Sequence, residues 1–124
     1  MWPFKTSPTQ EKKMNYRSID QNFAVAGQLQ PSQMDELAAA GFKSIVCARP
    51  DHEDAGQPTF AEVAAAAKAK GVEAVHIPIS SGITEGALIR MEQALKTLPK
   101  PIYGYCRSGG RAGSLYNAAL RAAH

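Results

Sequence analysis

Short apolar runs alternate with longer segments of helical period along most of this chain. The runs are Phe23-Ala24-Val25-Ala26, Ile45-Val46-Cys47-Ala48, Ala74-Val75-His76-Ile77 and Ile102-Tyr103-Gly104-Tyr105. Their length and their β-branched and aromatic content predict strands at 23–26, 44–48, 74–77 and 102–105. Such near-continuous apolar runs mark strands covered on both faces. Helices are predicted between and after them, at 32–40, 59–70, 84–98 and 112–123. Pro31 precedes the first, where Ser32 and Asp35 have capping-box spacing, and Gly41 stops it. Thr59 and Glu62 form a second capping box, with Gly71 as the stop; Thr84 caps the third helix and Pro99-Lys100-Pro101 breaks it. The alternation predicts a single α/β domain: a mostly parallel central sheet of about four or five strands with helices on both faces. Residues 1–20 are polar, with Pro3, Pro8 and the run Glu11-Lys12-Lys13, and are expected to form a mobile leader before a domain at 21–124.

In a parallel sheet, ligands bind beyond the carboxyl ends of the strands. The loops at Arg49, Ser80 and Cys106 each follow a predicted strand, so they are expected to gather at one edge. The third of them carries the chemistry. Cys106-Arg107-Ser108-Gly109-Gly110-Arg111 lies between the last strand and the last helix. A loop entering a helix leaves backbone N–H groups without partners, aimed in one direction, and the helix dipole adds positive charge there. Both favour a thiolate, and such settings lower a cysteine pKa from about 8.5 into the range of about 3.5–7.5. Gly109 and Gly110 permit a close backbone approach to a ligand. The planar fork of Arg111 suits phosphate, sulfate or thiosulfate oxygens. The loop is not a Walker A motif, because no Gly-Lys-Ser/Thr follows.

Composition narrows the picture. With 124 residues, 44% hydrophobic and 20% charged, the chain can build a real core. A net charge of +3 spread over scattered Lys and Arg suits small anionic ligands and gives no footprint for nucleic acid. No apolar run has the length of a membrane span, and the N-terminus lacks the apolar core of a secretory signal. Two cysteines make neither a disulfide scaffold nor a zinc site, so a reducing cytoplasm is the expected compartment, with no metal and no cofactor.

The loop from Cys106 to Arg111 resembles the active-site loop of protein tyrosine and dual-specificity phosphatases. More closely, the chain resembles the phosphatase-like domain of the bacterial beta-lactamase hydrolase-like proteins. That resemblance is carried by Gly27-Gln28-Leu29, Gly41-Phe42-Lys43-Ser44-Ile45-Val46, Arg49-Pro50-Asp51, His76-Ile77-Pro78 and Tyr105 through Arg111. It implies a tyrosine-phosphatase-like fold with Cys106 as nucleophile and Arg111 holding the oxyanion. The backbone of Arg107, Ser108, Gly109, Gly110 and Ala112 would cradle it. In that family the domain occurs alone or joined to a sulfur dioxygenase, so a separate dioxygenase is a candidate partner. Some phosphatases of this fold also keep a second cysteine that forms a reversible disulfide with the nucleophile, which makes Cys47 a candidate redox partner.

The departures from the phosphatase pattern matter. Four residues separate Cys106 from Arg111 where phosphatases have five, Ala112 replaces a hydroxyl residue, and Tyr105 replaces a histidine. The stretch His76-Ile77-Pro78-Ile79-Ser80-Ser81-Gly82 lacks the general-acid aspartate of the dual-specificity enzymes. Asp51, in the cluster Asp51-His52-Glu53-Asp54, is the favoured substitute acid, with Arg49 either pairing with it or adding charge to the anion site. The loop also fits the C-R-x-G-x-R pattern of rhodanese-type sulfurtransferases, whose leaving groups need no strong acid. The first expectation is therefore sulfur transfer through a persulfide on Cys106, from a small oxyanion or persulfide substrate. The alternative is a phosphatase acting through cysteinyl phosphate, and the third is an oxyanion-binding module without turnover.

Overall fold

The computed structural model describes residues 14–123. Its five-stranded sheet contains β1 (Arg17–Ser18), β2 (Phe23–Ala26), β3 (Ser44–Cys47), β4 (Glu73–His76) and β5 (Ile102–Tyr105), in the order β1-β2-β5-β3-β4. β1 is antiparallel to β2, and the other pairings are parallel. The helices are α1 (Met34–Ala39), α2 (Phe60–Ala69), α3 (Glu85–Thr97) and α4 (Gly110–Ala122). The domain is α/β with a mostly parallel sheet, as its strand pattern predicts.

Two apolar clusters sandwich the sheet, and strand alternation assigns residues to each. Phe23, Val25, Val46 and Ile102 pack with Met91 of α3 and Leu115 of α4. Ala24, Ile45, Tyr103 and Tyr105 pack with Leu37 of α1 and Val63 of α2. Phe23 stacks on Tyr116 at 4.2 Å between ring centroids, a geometry that adds to area burial. Tyr103 and Tyr105 thus fill the core rather than line a pocket. Among the described residues, no helix is long and apolar enough to cross a membrane.

The helix starts follow the capping chemistry, with two exceptions. Thr59 Oγ1 accepts the Glu62 N–H at 3.1 Å and Glu62 returns the bond to the Thr59 N–H at 2.8 Å. Thr84 Oγ1 accepts the Ala87 N–H in the same way. The first helix departs from the Ser32/Asp35 expectation. Pro31 opens a short 3₁₀ turn (Pro31–Gln33), and the Gln33 side chain accepts the Gln30 N–H at 2.8 Å. The last helix begins at Gly110, two residues earlier than expected, so Arg111 lies in its first turn.

The sheet also begins before residue 21. Arg17 and Ser18 pair with Val25 and Ala24, and Asp20 accepts the N–H groups of Asn22 and Phe23 and the hydroxyl of Tyr116. These bonds tie residues 17–20 to the domain, and residues 1–13 of the expected leader lie outside the described residues.

Candidate active site

Cys106 follows β5 directly and is completely buried. Gly109 stands in the left-handed region at φ 97°, with backbone atoms of Ala26 at 3.4 Å from where a Cβ would sit. Only glycine makes that turn without strain. It also leaves α4 without a side-chain N-cap. The Cys106 sulfur takes that place: the Gly109 N–H points at Sγ from 3.0 Å. Burial by itself pushes the thiol pKa up, but the N–H groups of Ala112, Ser108, Gly109 and Arg111 outweigh it, and the net shift is downward. Backbone donors of the loop and the first turn of α4 thus favour the ionised sulfur against its burial. Gly27 passes so close that an added Cβ would lie 2.9 Å from the Arg107 carbonyl oxygen.

The side chains around this cradle form a chain of ion pairs. Arg111 donates from Nη1 and Nη2 to the two carboxylate oxygens of Glu53 at 2.7 and 2.9 Å, and from Nη1 to the Ile79 carbonyl at 2.8 Å. Arg49 is buried and donates from Nε to Glu53, from Nη1 to Gln28 and from Nη2 to Asp54, at 2.9, 2.8 and 2.7 Å. Glu53 thus joins both arginines, and the hydrogen bonds from Arg111 and Arg49 lower its pKa to about 2. Arg111 is held more firmly protonated, first by Glu53 and further by Cys106. The guanidinium therefore stands between the acidic loop and Cys106.

The loop of residues 49–58 is shaped to present these carboxylates. His52 adopts φ 66°, a turn that non-glycine residues rarely make. Gln57 accepts the N–H groups of Glu53 and Asp54 and donates to the Pro50 carbonyl. His76 contributes structurally, stacking on Phe60 and bonding through Nε2 to the Arg49 carbonyl at 2.7 Å.

Asp51, the favoured acid on sequence grounds, is placed elsewhere. Its Oδ1 accepts the N–H of Phe60 at 2.8 Å, so it caps the start of α2. Arg49 pairs with Glu53 and Asp54 rather than with Asp51. Arg107 turns its exposed side chain onto Asp54 at 3.3 Å. Ser108 Oγ accepts a long bond from the Gly110 N–H at 3.4 Å. Gly110 opens the helix with negative φ, so only Gly109 of the pair needs glycine for its conformation. Glu53 and Gln28 are the partners that sequence reasoning did not single out. Glu53 was visible only as one of three neighbouring carboxylates, and Gln28 lies 21 positions before Arg49.

Cys47 ends β3 opposite Tyr105. Its thiol lies in the cluster under α1 and α2, whereas Cys106 lies in the one under α3 and α4, and both are free. Burial raises the Cys47 pKa.

Beside Arg111, a cavity of about 350 Å³ is lined by Ile79, Ser80, Gly82, Ile83, Gly110 and Ser114. It offers a partly apolar wall next to the Arg111 guanidinium. Among the described residues, no three His, Cys, Asp or Glu side chains gather as a metal site.

Residues 15–123 match the family described as the beta-lactamase hydrolase-like protein, phosphatase-like domain. The beta-lactamase hydrolase-like protein of Agrobacterium fabrum is 37% identical over 99 residues, covering 79% of this chain and 23% of that protein. The chain spans about a quarter of the length of the curated relatives it matches. A solved structure from Neisseria meningitidis Z2491, titled as a phosphatase, superposes with a TM-score of 0.76 at 29% identity, covering 84% of this chain and 75% of that one. Tk-PTP in its active form superposes with a TM-score of 0.62 at 23% identity, covering 100% and 76% of the two chains, a likeness of fold alone. The fold is tyrosine-phosphatase-like.

Proposed function

From the premise that this chain belongs to the phosphatase-like domain family of the beta-lactamase hydrolase-like proteins, we propose that it is a cysteine-dependent phosphatase. The observation that carries the reading is the Gly109 N–H on the Cys106 sulfur at 3.0 Å, at the start of the helix whose first turn holds Arg111. Donors arranged for a thiolate in the resting site are also arranged for the equatorial oxygens of a phosphoryl group brought to that sulfur. The thiolate attacks phosphorus, the bond to the leaving oxygen breaks, and a cysteinyl phosphate forms. Water then cleaves the S–P bond and restores the thiolate. Arg111 is positioned by Glu53 and the Ile79 carbonyl, so its fork is preorganised before substrate arrives.

This ranking reverses the one drawn from loop spacing, which put sulfur transfer first. The family match and the phosphatase structural neighbours favour phosphoryl chemistry. Sulfur transfer keeps one specific support: the carboxylates near the loop are engaged as acceptors, which handicaps an ester leaving group more than sulfite.

Hydrolysis of p-nitrophenyl phosphate tests the proposal. The wild type is expected to turn it over, Cys106→Ser to be inactive, and Arg111→Lys to lose about 10²–10³-fold, because a point charge cannot replace the fork. Retention of full activity by Arg111→Lys would remove that residue from its role. Thiosulfate on the same proteins separates the sulfur reading, and tight phosphate binding without turnover by the wild type would leave only a binding module.

A further inference from the structure

Resting on the phosphatase reading, we propose that the site takes phosphoryl groups from leaving oxygens that depart as stable anions. The substrate class is a phosphoanhydride or an acidic aryl phosphate, and alkyl phosphomonoesters are discriminated against.

The proposal stands on where the carboxylates around the loop are committed. Both oxygens of Glu53 accept from Arg111, and one also accepts from Arg49. Asp54 Oδ2 accepts from Arg49 at 2.7 Å and faces Arg107 Nε at 3.3 Å. Asp51 accepts from the Phe60 amide at the start of α2. Both oxygens of Glu53, Asp54 Oδ2 and Asp51 Oδ1 are thus engaged by N–H donors, and none of the three residues lines the cavity beside Arg111. Glu53, drawn down to about 2, holds no proton at neutral pH.

Among the described residues, the cavity wall offers no carboxyl. The cavity beside Arg111 is built from Ile79, Ser80, Gly82, Ile83 and Ser114. Its hydroxyls can hydrogen-bond a leaving group, but they are far too weakly acidic to protonate one. The first step therefore balances without a proton. The S–P bond forms as the P–O bond breaks, and the electron pair goes to the leaving oxygen, which departs as an anion. In the second step water attacks phosphorus, the S–P bond breaks, and the water proton leaves with the product phosphate or to solvent. General-acid assistance ordinarily contributes about 10²–10⁴-fold, and a leaving group that is already a stable anion gains little from it.

The test is kcat/KM of the full chain on aryl phosphates of graded phenol acidity, with an alkyl phosphate and inorganic pyrophosphate alongside. A steep dependence is expected, with a fall of at least about 10²-fold from the most to the least acidic phenol and no detectable alkyl turnover. Asp51→Asn, which keeps an oxygen for the Phe60 cap, is expected to leave the slope unchanged. Turnover of pyrophosphate would point to an anhydride substrate, and its absence beside a steep aryl series to an aryl one. A shallow series, steepened by Asp51→Asn, would overturn the inference while leaving the phosphatase intact. Failure to form phosphocysteine from even the most acidic ester would instead overturn the phosphatase reading, and this inference with it.

Discussion

Two loops meet at the carboxyl edge of the sheet, and they are built on opposite plans. The cradle after β5 works through its backbone: Gly109 turns the chain, and N–H groups of the loop and first helical turn converge on Cys106. The loop after β3 works through side chains: Arg49, Glu53 and Asp54 reach across space and fix one another and Arg111. Backbone donors are set by local conformation and cannot be substituted away except through glycine or proline. A side-chain network depends on each member's identity, and removing one strands the others. The first plan holds the Cys106 sulfur, and the second fixes Arg111.

The sharpest way to break this comparison is to remove the hub of the side-chain network. Arg49→Met should cost about 1–3 kcal/mol, because it removes the buried guanidinium that half-buried Gln28 and the exposed Glu53 and Asp54 share as donor. Urea denaturation of the two proteins reads this directly. Arg107→Ala, at an exposed pair with Asp54, should change stability by less than about 0.5 kcal/mol in the same assay. Equal effects of the two substitutions would mean that burial of Arg49 contributes nothing special.

The backbone plan is probed by crowding it. Gly27→Ala places a methyl group against the Arg107 carbonyl, and a backbone atom cannot swing away as a flexible side chain would. A loss of about 1–3 kcal/mol is expected, together with weaker phosphate binding as the cradle shifts. Isothermal titration with inorganic phosphate checks the second part. Unchanged affinity would show that the loop has slack.

The network also sets a pH dependence. Hydrogen bonds from Arg111 and Arg49 take Glu53 from its ordinary 4.5 to about 2 in the folded state. A depressed carboxylate contributes stability that is fully present above the unfolded value and is lost as pH falls through the folded one. The wild type should therefore lose stability between about pH 4.5 and 2 relative to Glu53→Gln. Circular dichroism melts across that window check the sign, and parallel curves for the two proteins would refute it.

The same contrast explains what could be read from the sequence. The four parallel strands and the cysteine cradle were legible because they depend on local signals: apolar runs, capping residues, glycine and the Cys-to-Arg spacing. β1 was not, since Arg17 and Ser18 are exposed polar residues whose strand character comes only from pairing with β2. The choice among Asp51, Glu53 and Asp54 was hidden for a related reason. It is made by the turn at His52 and by the clamp from Gln57, which send Glu53 towards Arg111 and leave Asp51 at the start of α2. Composition lists three carboxylates there, and only the folded loop gives each its partner. The two glycines of the cradle divide similarly: one is demanded by its φ, the other is simply the first residue of a helix.

The central claim is that Cys106 attacks phosphorus from within its cradle. Rapid mixing with p-nitrophenyl phosphate, acid quenching and peptide mass spectrometry test it most directly. The account predicts a phosphoryl group on the Cys106 peptide of the wild type, none in Cys106→Ser, and a markedly slower build-up in Arg111→Lys. No phosphoryl adduct under these conditions, with a sulfur atom gained at Cys106 from thiosulfate, would contradict it.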